Sequence, residues 1–399
     1  MRQRIIYLLK HNAFLQAAYC TCMGILFKVM GAFIPVDKNL ILFSSFMGMG
    51  VNDSPKVIYD YIIAHEEYAG YRCVWAVENP KDYPNIESVK IDTLSYFILA
   101  MKAKFWCTNT NIERGLRFKK EQQVYLNTWH GIALKYIGND CPGRKDYNFD
   151  TVDYLVVSGA HDERVFKSAF NAKESSYLRY GMPRNEELWN VSSGRREQLR
   201  KQLSIPENKK VILYAPTWRE SEDGGKSYTI KPPIHIDEWK KNLGTEYVVL
   251  FKAHHQTTKV LGLQFDDFIV DVSNYPSVND LMIVADLLIT DYSAIAFDFS
   301  ILCKPILCYT YDYEDYLLKR GTYFVMNDRY PNPICKEESE LWERIINLDF
   351  EKEEQNSRRF RDDFISYGAG STEMCVKTWL STKQGDYSSE CVVLAEQQF

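Results

Sequence analysis

Short apolar runs separated by polar turns recur along the chain after Pro35. Segments with the helical spacing of apolar residues lie between these runs, which have the length of strands buried on both faces. This alternation predicts an α/β protein with parallel sheets covered by helices. The predicted strands are 39–44, 72–76, 105–108, 124–126, 154–157, 210–214, 248–251, 268–270, 287–290 and 305–308.

The length of the chain and the position of its polar stretches predict two domains. Its 399 residues exceed what one hydrophobic core usually holds. We expect an N-terminal domain at 37–200 and a C-terminal domain at 201–360, since a polar stretch precedes the sixth predicted strand. A C-terminal helix is expected at 361–381, followed by a polar, flexible tail at 382–399. Because open parallel sheets bind ligands beyond the carboxyl ends of their strands, the two sheets should face a cleft between the domains.

The first 36 residues differ from the rest. The first 38 residues carry a net charge of +4, and a mostly apolar stretch of sixteen residues lies at 12–27. Spanning a bilayer takes about 20 apolar residues, and no small-residue cleavage site of a signal peptide follows. We therefore expect residues 1–36 to form a basic, amphipathic helix in the headgroup region of a membrane, at its anionic cytoplasmic face. An ordinary first helix packed on the domain is the alternative.

Composition excludes several classes of protein. Hydrophobic residues make up 46% and charged residues 25%, which excludes collagen-like, low-complexity and disordered chains. The net charge is −5, so the chain as a whole carries no excess positive charge that would attract nucleic acid. The ten cysteines form no C-x-x-C pair, which argues against a zinc module or a disulfide framework and fits reduced cytosolic thiols.

Small polar residues follow the ninth predicted strand in a pattern that suits a phosphate. Thr290 and Asp291 end the strand, and Ser293 and Ala294 begin the helix that follows. Backbone N–H groups and the positive end of the helix dipole then point at one spot. Asp298, on the first turns of this helix, is placed to accept hydrogen bonds from a ribose diol. A βαβ unit with a well-capped helix is the alternative.

Two histidines also follow predicted strands. His130 stands beside Gly131, where the backbone can approach a ligand closely. Its ordinary pKa near neutrality suits a general base, and a structural hydrogen bond is the alternative role. Lys252 and His254 bring positive or donor groups to the end of the seventh strand, suited to an anionic leaving group. His255 is adjacent to His254, but neighbouring side chains of an extended segment point apart, so a metal site is not indicated.

Other positions in strand-end loops are candidates for anion or acceptor contacts. Thr217 and Arg219 follow the sixth predicted strand and are suited to face phosphate. We place Gly48, Gly50, Gly131 and Arg184 on the acceptor side of the cleft. The chain contains no complete G-x-G-x-x-G dinucleotide fingerprint, no Walker motif and no G-x-S-x-G nucleophile elbow.

Taken together, these motifs resemble a known family. TWHG, GMPRN, YAPTWR, the strand-end His254, ITDYSAIAFDF and KPILCYTYDYEDY occur in the order seen in the CDP-glycerol glycerophosphotransferases, the teichoic acid primases and polymerases of bacteria. The resemblance covers about residues 38–380. It implies a GT-B-like fold of two Rossmann-like domains, attached peripherally to the cytoplasmic face of the cell membrane. It also implies transfer of glycerol phosphate or ribitol phosphate from a CDP-alditol to a hydroxyl of a lipid-linked or glycan acceptor, with release of CMP.

The resemblance also assigns roles to residues. His130 is the implied base on the acceptor hydroxyl, and His254 is the second catalytic histidine, in contact with the donor phosphates. Ser293 matches the start of the pyrophosphate-binding helix, and Asp298 the ribose-side carboxylate. The remaining positions on the donor side are Thr217, Arg219, Lys252, Thr290, Asp291, Ala294 and Arg320. No tightly bound cofactor is implied, and a divalent metal is not indicated.

Alternative functions stay open at this point. A GT-B glycosyltransferase for cell-surface polysaccharide would use the same phosphate-binding helix with attack at an anomeric carbon. A non-catalytic GT-B-like subunit would require neither His130 nor His254. The sequence does not distinguish a glycerol phosphate donor from a ribitol phosphate donor, and it does not identify the acceptor. It also leaves open whether the enzyme primes or polymerises, whether the product is a wall or a capsular polymer, and whether the chain forms a homo-oligomer.

Overall fold

The computed structural model describes residues 13–217, 219–220, 228–230, 233–253, 259–260 and 263–381. His254, the tail expected at 382–399 and the first twelve residues lie outside this part of the chain. The described residues form two parallel sheets, one in each half of the chain, and a small three-stranded sheet.

The first sheet has seven parallel strands in the order β3-β2-β1-β4-β5-β6-β7. These strands are β1 (Asp37–Ser44), β2 (Arg72–Val77), β3 (Ser88–Lys90), β4 (Ala103–Thr108), β5 (Val124–Asn127), β6 (Tyr154–Val156) and β7 (Tyr177–Leu178). The helices of this half are α1 (Ala13–Ala32), α2 (Asp53–Ala64), α3 (Leu94–Lys102) and α4 (Ala160–Phe170). The strand order reverses at β1 and β4, and ligands bind beside such a reversal in open sheets.

The strands of the first sheet are apolar throughout because both faces of the sheet are covered. In β1, Leu40 and Leu42 pack into one hydrophobic layer, whereas Ile41 and Phe43 pack into the other. All four side chains are fully buried. This explains the continuous apolar runs from which the parallel sheet was predicted.

The second sheet has five parallel strands in the order β13-β11-β8-β14-β15. The strands of this half are β8 (Lys210–Ala215), β9 (Arg219–Glu220), β10 (Tyr228–Ile230), β11 (Tyr247–Phe251), β12 (Lys259–Val260), β13 (Ile269–Asp271), β14 (Leu287–Thr290) and β15 (Ile306–Cys308), of which β9, β10 and β12 form the small sheet. The remaining helices are α5 (Glu186–Trp189), α6 (Arg195–Gln202), α7 (Ile236–Leu243), α8 (Val278–Val284), α9 (Ile295–Ser300), α10 (Tyr313–Arg320), α11 (Met326–Arg329), α12 (Glu338–Ile346), α13 (Phe350–Phe364) and α14 (Ser371–Ser381). Each of the ten predicted strands overlaps one of these two sheets, which confirms the α/β prediction.

The chain crosses between the two halves at more than one place. Leu199 on α6, just ahead of the expected boundary at 200, is buried in the core of the second half. Trp379 on α14 returns to the first half, where its ring packs edge-on against Phe43 at 6.2 Å and Phe105 at 5.6 Å. Helix α14 therefore completes the covering of the first sheet.

Helix α1 has a packed side and an exposed side. Phe27 is buried and its ring stacks on Phe97 at 4.6 Å. On the other side of the helix Ile25 and Val29 are exposed by 59% and 55%, and Phe33, in the turn directly after the helix, is exposed by 83%. Among the residues that the structure describes, no helix combines the length and apolar character needed to cross a membrane. The helix therefore packs on the first half as the alternative expected, and its place in the headgroup region of a membrane stays a prediction.

Candidate active site

Most of the residues singled out in the sequence lie at or just after the carboxyl ends of strands in both sheets. On the first sheet, Gly48 and Gly50 follow β1, His130 and Gly131 follow β5, and Arg184 follows β7. On the second sheet, Thr217 follows β8, Lys252 follows β11 and Thr290 ends β14. Asp291, Ser293 and Ala294 lead from β14 into α9, which carries Asp298. Arg219 lies on β9, and Arg320 lies at the end of α10. His254 lies outside the described residues.

The two halves meet where the His130 turn reaches the turn before α9. Gly131 has φ +143°, a conformation that favours glycine. A Cβ added to Gly131 would lie 3.1 Å from Ala294 Cβ and 3.3 Å from Arg184 Nη2, tighter than ordinary packing. The backbone next to His130 therefore comes directly against the turn predicted to bind phosphate.

The His130 ring is oriented by its own half of the molecule. Its Nδ1 lies 2.7 Å from the carbonyl oxygen of Asn109. Because a carbonyl oxygen only accepts hydrogen bonds, Nδ1 donates, and the basic lone pair of the neutral ring is on Nε2. The ring also packs on Trp129, at a centroid distance of 4.0 Å, and against the edge of Phe46 at 5.5 Å. This is the tautomer that a general base requires.

The loop that carries Gly48 is tightly packed. Phe46, Met47 and Gly48 all have positive φ, and a Cβ added to Gly48 would lie 2.9 Å from Ile91 Cγ2. Glycine is therefore required there by the neighbouring core side chain. At Gly50 an added Cβ would lie 2.7 Å from Asn52 Nδ2. The acceptor-side role of both glycines stays a prediction.

A buried ion-pair network joins the two halves. Arg184 Nη2 donates to Asp298 Oδ2 at 2.6 Å, and its Nη1 donates to Asp53 Oδ2 at 2.8 Å and to the His130 carbonyl at 2.9 Å. Asn185 Nδ2 donates to the other Asp298 oxygen at 2.6 Å. Burial raises the pKa of the Asp298 carboxyl, whereas Arg184 and Asn185 act to lower it. Because both Asp298 oxygens are occupied here, the ribose contact expected of it stays a prediction.

Asp291 organises the phosphate-side turn. Its Oδ1 accepts from the backbone N–H groups of Thr217 at 2.8 Å and Tyr292 at 2.7 Å, and its Oδ2 accepts from Arg219 at 3.0 Å. Thr290 Oγ1 donates to the Ala215 carbonyl at 2.8 Å and so ties β14 to β8. These bonds fix the loops after two neighbouring strands relative to each other.

Arg219 is held within the second half by charge and by aromatic rings. Its guanidinium donates to Asp312 at 2.7 and 2.9 Å and to the Thr217 carbonyl at 2.6 Å. The rings of Tyr292, Tyr311 and Tyr316 surround the guanidinium carbon at 5.2 to 5.3 Å, within cation–π range. Most of its donors are thus used inside the protein, and its predicted contact with phosphate stays a prediction.

Lys252 and Ser293 also have partners in the protein. Lys252 Nζ donates to the carbonyls of Ser273 at 2.7 Å and Tyr275 at 2.8 Å, and burial lowers the pKa of this ammonium. Ser293 Oγ accepts from the Ile295 N–H at 3.3 Å, in the turn that leads into α9. Lys252 therefore braces the loop after β13 in this structure.

Sequence reasoning missed several residues that the fold brings to this cleft. Asn109 orients His130, Asp53 and Asn185 join the Arg184 network, and Asp312 binds Arg219. Lys135 also lies here, in electrostatic contact with Asp291, Arg219 and Arg320. Their strand-end positions were the available signal for Asn109 and Asp312, whereas the others depend on tertiary packing. Across the described ranges no group of three or more His, Cys, Asp or Glu is arranged to hold a metal ion.

Two parallel α/β sheets whose strand ends face one polar cleft define the GT-B-like class of fold. The chain matches the model of the CDP-Glycerol:Poly(glycerophosphate) glycerophosphotransferase family over residues 26–378, and it belongs to this family. The family resemblance inferred from the motifs is therefore confirmed.

Relatives with known names agree with this assignment. Over 364 residues the chain is 34% identical to the teichoic acid poly(glycerol phosphate) polymerase of Staphylococcus epidermidis, a match that covers 86% of this chain and 50% of the relative. It is 31% identical over 366 residues to the teichoic acid glycerol-phosphate transferase of Staphylococcus aureus, with coverages of 85% and 92%. The chain thus spans half the length of the first relative and most of the second.

The fold also matches a solved structure. The wall teichoic acid polymerase TagF superposes with a TM-score of 0.79 at 31% identity, over 96% of this chain and 98% of that chain. This likeness confirms the GT-B-like fold that the motifs implied.

Proposed function

We propose that this chain transfers an alditol phosphate from a CDP-alditol to a hydroxyl of a lipid-linked or glycan acceptor and releases CMP, in the synthesis of teichoic acid or a capsular polymer. The observation that carries the proposal is the packing of the His130–Gly131 turn of one half against Ala294 of the other. A base from one half and a phosphate-side turn from the other then border the same cleft.

The relatives support the donor class. Polymerases of both glycerol phosphate and ribitol phosphate are among them, the latter from Bacillus spizizenii at 25% identity over 345 residues. A structure of a TagF variant was obtained after a 15 minute soak with CDPG. We therefore propose a CDP-linked alditol as the donor substrate, with glycerol phosphate and ribitol phosphate as the two candidates for transfer.

The proposed chemistry needs positioning and charge stabilisation more than covalent catalysis. His130 Nε2 takes the proton of the acceptor hydroxyl as its oxygen attacks the distal phosphorus of the donor. A new P–O bond forms, the bond to the bridging oxygen breaks, and CMP leaves with the bonding electrons. We propose that Ser293 and the backbone beside Ala294 receive the leaving phosphate, together with Lys252 and the catalytic His254.

We further propose that the protein attaches peripherally to the cytoplasmic face of the bacterial cell membrane through α1. The exposed side chains of Ile25, Val29 and Phe33 form an apolar surface that burial in lipid would remove from water. Lys28 lies in the same helix, and cations of this kind are attracted to anionic headgroups. A lipid-linked acceptor would be reached from this surface.

The first experiment is calorimetric titration of the full chain with CDP, CMP, UDP and GDP, followed by product analysis with CDP-glycerol and CDP-ribitol. We expect selective binding of CDP and release of CMP with alditol phosphate transferred to the acceptor. Selective binding of UDP or GDP, with release of a nucleoside diphosphate, would instead make the protein a glycosyltransferase. Binding of none of the nucleotides would favour a non-catalytic subunit.

A further inference from the structure

The segment after His130 crosses into the second half and is fixed there by its backbone. Lys135 forms an antiparallel bridge with Thr322, and the Tyr323 N–H donates to the Leu134 carbonyl at 2.9 Å. Leu134 is buried in the hydrophobic core of the second half. The position of Lys135 is therefore set by both halves, beside the loop that follows α10.

The surroundings of the Lys135 side chain are charged. The half-buried ammonium is in electrostatic contact with Asp291, Arg219 and Arg320. Within the part of the chain that the structure describes, its Nζ makes no hydrogen bond and no ion pair. Burial lowers the pKa of Lys135 to about 8, the two arginines lower it further, and Asp291 acts in the opposite direction.

A comparison with another interior lysine shows that this arrangement is unusual. Lys304 is also largely buried, and burial lowers its pKa to about 8 as well. Its Nζ, however, donates to the carbonyls of Ile283 at 2.8 Å and Ala285 at 2.6 Å. Polar groups in protein interiors are normally hydrogen-bonded in this way. Lys135 has no such hydrogen bond to the described residues, and an anion bound beside it would accept one.

We propose that the Lys135 ammonium contacts a phosphate of the CDP-alditol donor beside Asp291 and Arg320, as a donor-binding residue. An ammonium is a compact point charge that binds phosphate by charge-assisted hydrogen bonds. The inference rests on the proposed function, which supplies the donor class. It deepens that function by naming a residue from the first half of the chain that reaches across to the donor.

Substitution of Lys135 tests the contact. We expect Lys135→Met to weaken CDP binding by about tenfold or more, because a hydrogen bond to a charged group is lost, and to raise the KM for CDP-glycerol. Lys135→Arg should retain binding within about threefold, because the guanidinium keeps the charge. The matched control is Lys120→Met, whose Nζ donates to the Ile34 carbonyl at the opposite end of the first sheet. This control should leave CDP affinity unchanged.

A pH series on the unsubstituted protein keeps the proposal testable if Lys135→Met fails to fold. A phosphate binds the protonated ammonium, so CDP affinity should fall as the pH rises through about 8, where the free protein loses this proton. Lys135→Arg should remove this fall, because Arg stays charged. The other charged groups that face Lys135 are Asp291, Arg219 and Arg320.

The outcomes separate this proposal from the proposed function. If the unsubstituted protein binds CDP and releases CMP while Lys135→Met binds CDP equally well, the Lys135 contact is wrong and the function stands. A fall of affinity with pH that persists in Lys135→Arg would also overturn the contact. If the unsubstituted protein does not bind CDP, both proposals are overturned.

Discussion

At the scale of single residues, the contacts of His130 allow its chemical role to be separated from its structural one. The ring is half-buried, and Nδ1 hydrogen-bonds to the Asn109 carbonyl. We expect His130→Ala to lower kcat by at least about 10²-fold, the usual contribution of a general base. The fold should survive, because the backbone turn is held by Gly131 and Arg184. Turnover with CDP-glycerol and thermal unfolding measure the two effects.

His235 provides the matched control for this substitution. Its exposed ring bonds to Glu338 at 2.6 Å, in the second half of the chain and on the loop before α7. His235→Ala should leave kcat unchanged. If His130→Ala keeps nearly full activity, His130 has no part in the mechanism and the base must be sought elsewhere.

The residues of the cleft that lie close to the end of a strand could be predicted from the sequence. Asp291 directly follows an apolar run and His130 follows one after three intervening residues, and the carboxyl ends of parallel strands face the ligand. Their partners could not be predicted, because Arg184 meets Asp53 and Asp298 at sequence separations of 131 and 114 residues. Nothing local marks Lys135 either, since its neighbours Leu134 and Tyr136 read as ordinary packing residues.

At the scale of elements, the exposed side of α1 gives a direct test of membrane attachment. We expect the combined change of Ile25, Val29 and Phe33 to Ser to weaken binding of the full chain to anionic vesicles by more than about tenfold. Burial of each such side chain contributes about 1.5–3 kcal/mol, so losing three of them outweighs the remaining charge attraction. Thermal stability should change little, because these side chains are exposed. Co-sedimentation with phosphatidylglycerol-containing vesicles measures the binding.

Leu318→Ser is the control for the α1 variant. Leu318 is exposed by 88% on α10, in the other half of the chain. Its replacement removes a comparable apolar side chain without touching α1, so vesicle binding should stay the same. If the unsubstituted protein does not sediment with vesicles, or if the α1 variant sediments equally well, attachment through this surface is wrong.

Elements with a strong local pattern were predictable, and those that depend on a neighbour were not. The interior strands were found because both faces are buried and the runs are apolar. The edge strands β3, with the sequence Ser-Val-Lys, and β7, with only Tyr177 and Leu178, have no such run. Both are defined by pairing with β2 and β6. The same limit applies to α1, whose packed face cannot be distinguished from its exposed face by composition alone.

At the scale of the whole molecule, two α/β halves were predictable from length and alternation, but their connections were not. The return of α14 to the first sheet depends on contacts such as Trp379 with Phe43, which join the two ends of the chain. The burial of Leu199 with the second core depends equally on long-range packing. A polar stretch shows where the chain is solvated, and it does not show which core the next helix joins.

The Arg184–Asp298 pair tests how the halves are held together. Its side chains are exposed by only 15% and 8%. Removing one partner of a buried pair leaves an uncompensated charge. Arg184→Met leaves both Asp298 and Asp53 without this partner and should lower the free energy of unfolding by about 3–5 kcal/mol, whereas Asp298→Asn leaves Arg184 paired with Asp53 and should cost less. The double variant should lose less than the sum of the two, because Arg184 and Asp298 interact directly. Denaturant unfolding of the four proteins measures this coupling.

The same variants decide between two roles for Asp298. The exposed Lys319–Asp315 pair on α10 is the control, since breaking a surface pair costs about 1 kcal/mol or less. If Asp298→Asn is as stable as the unsubstituted protein but loses CDP affinity, the carboxylate serves the ribose of the donor and the pairing seen here gives way on binding. If Asp298→Asn loses stability, and its CDP affinity changes only a little and by the same amount as that of Arg184→Met, Asp298 acts by joining the halves. In that case the cleft depends on this pair for its shape, because Arg184 also holds the carbonyl of His130.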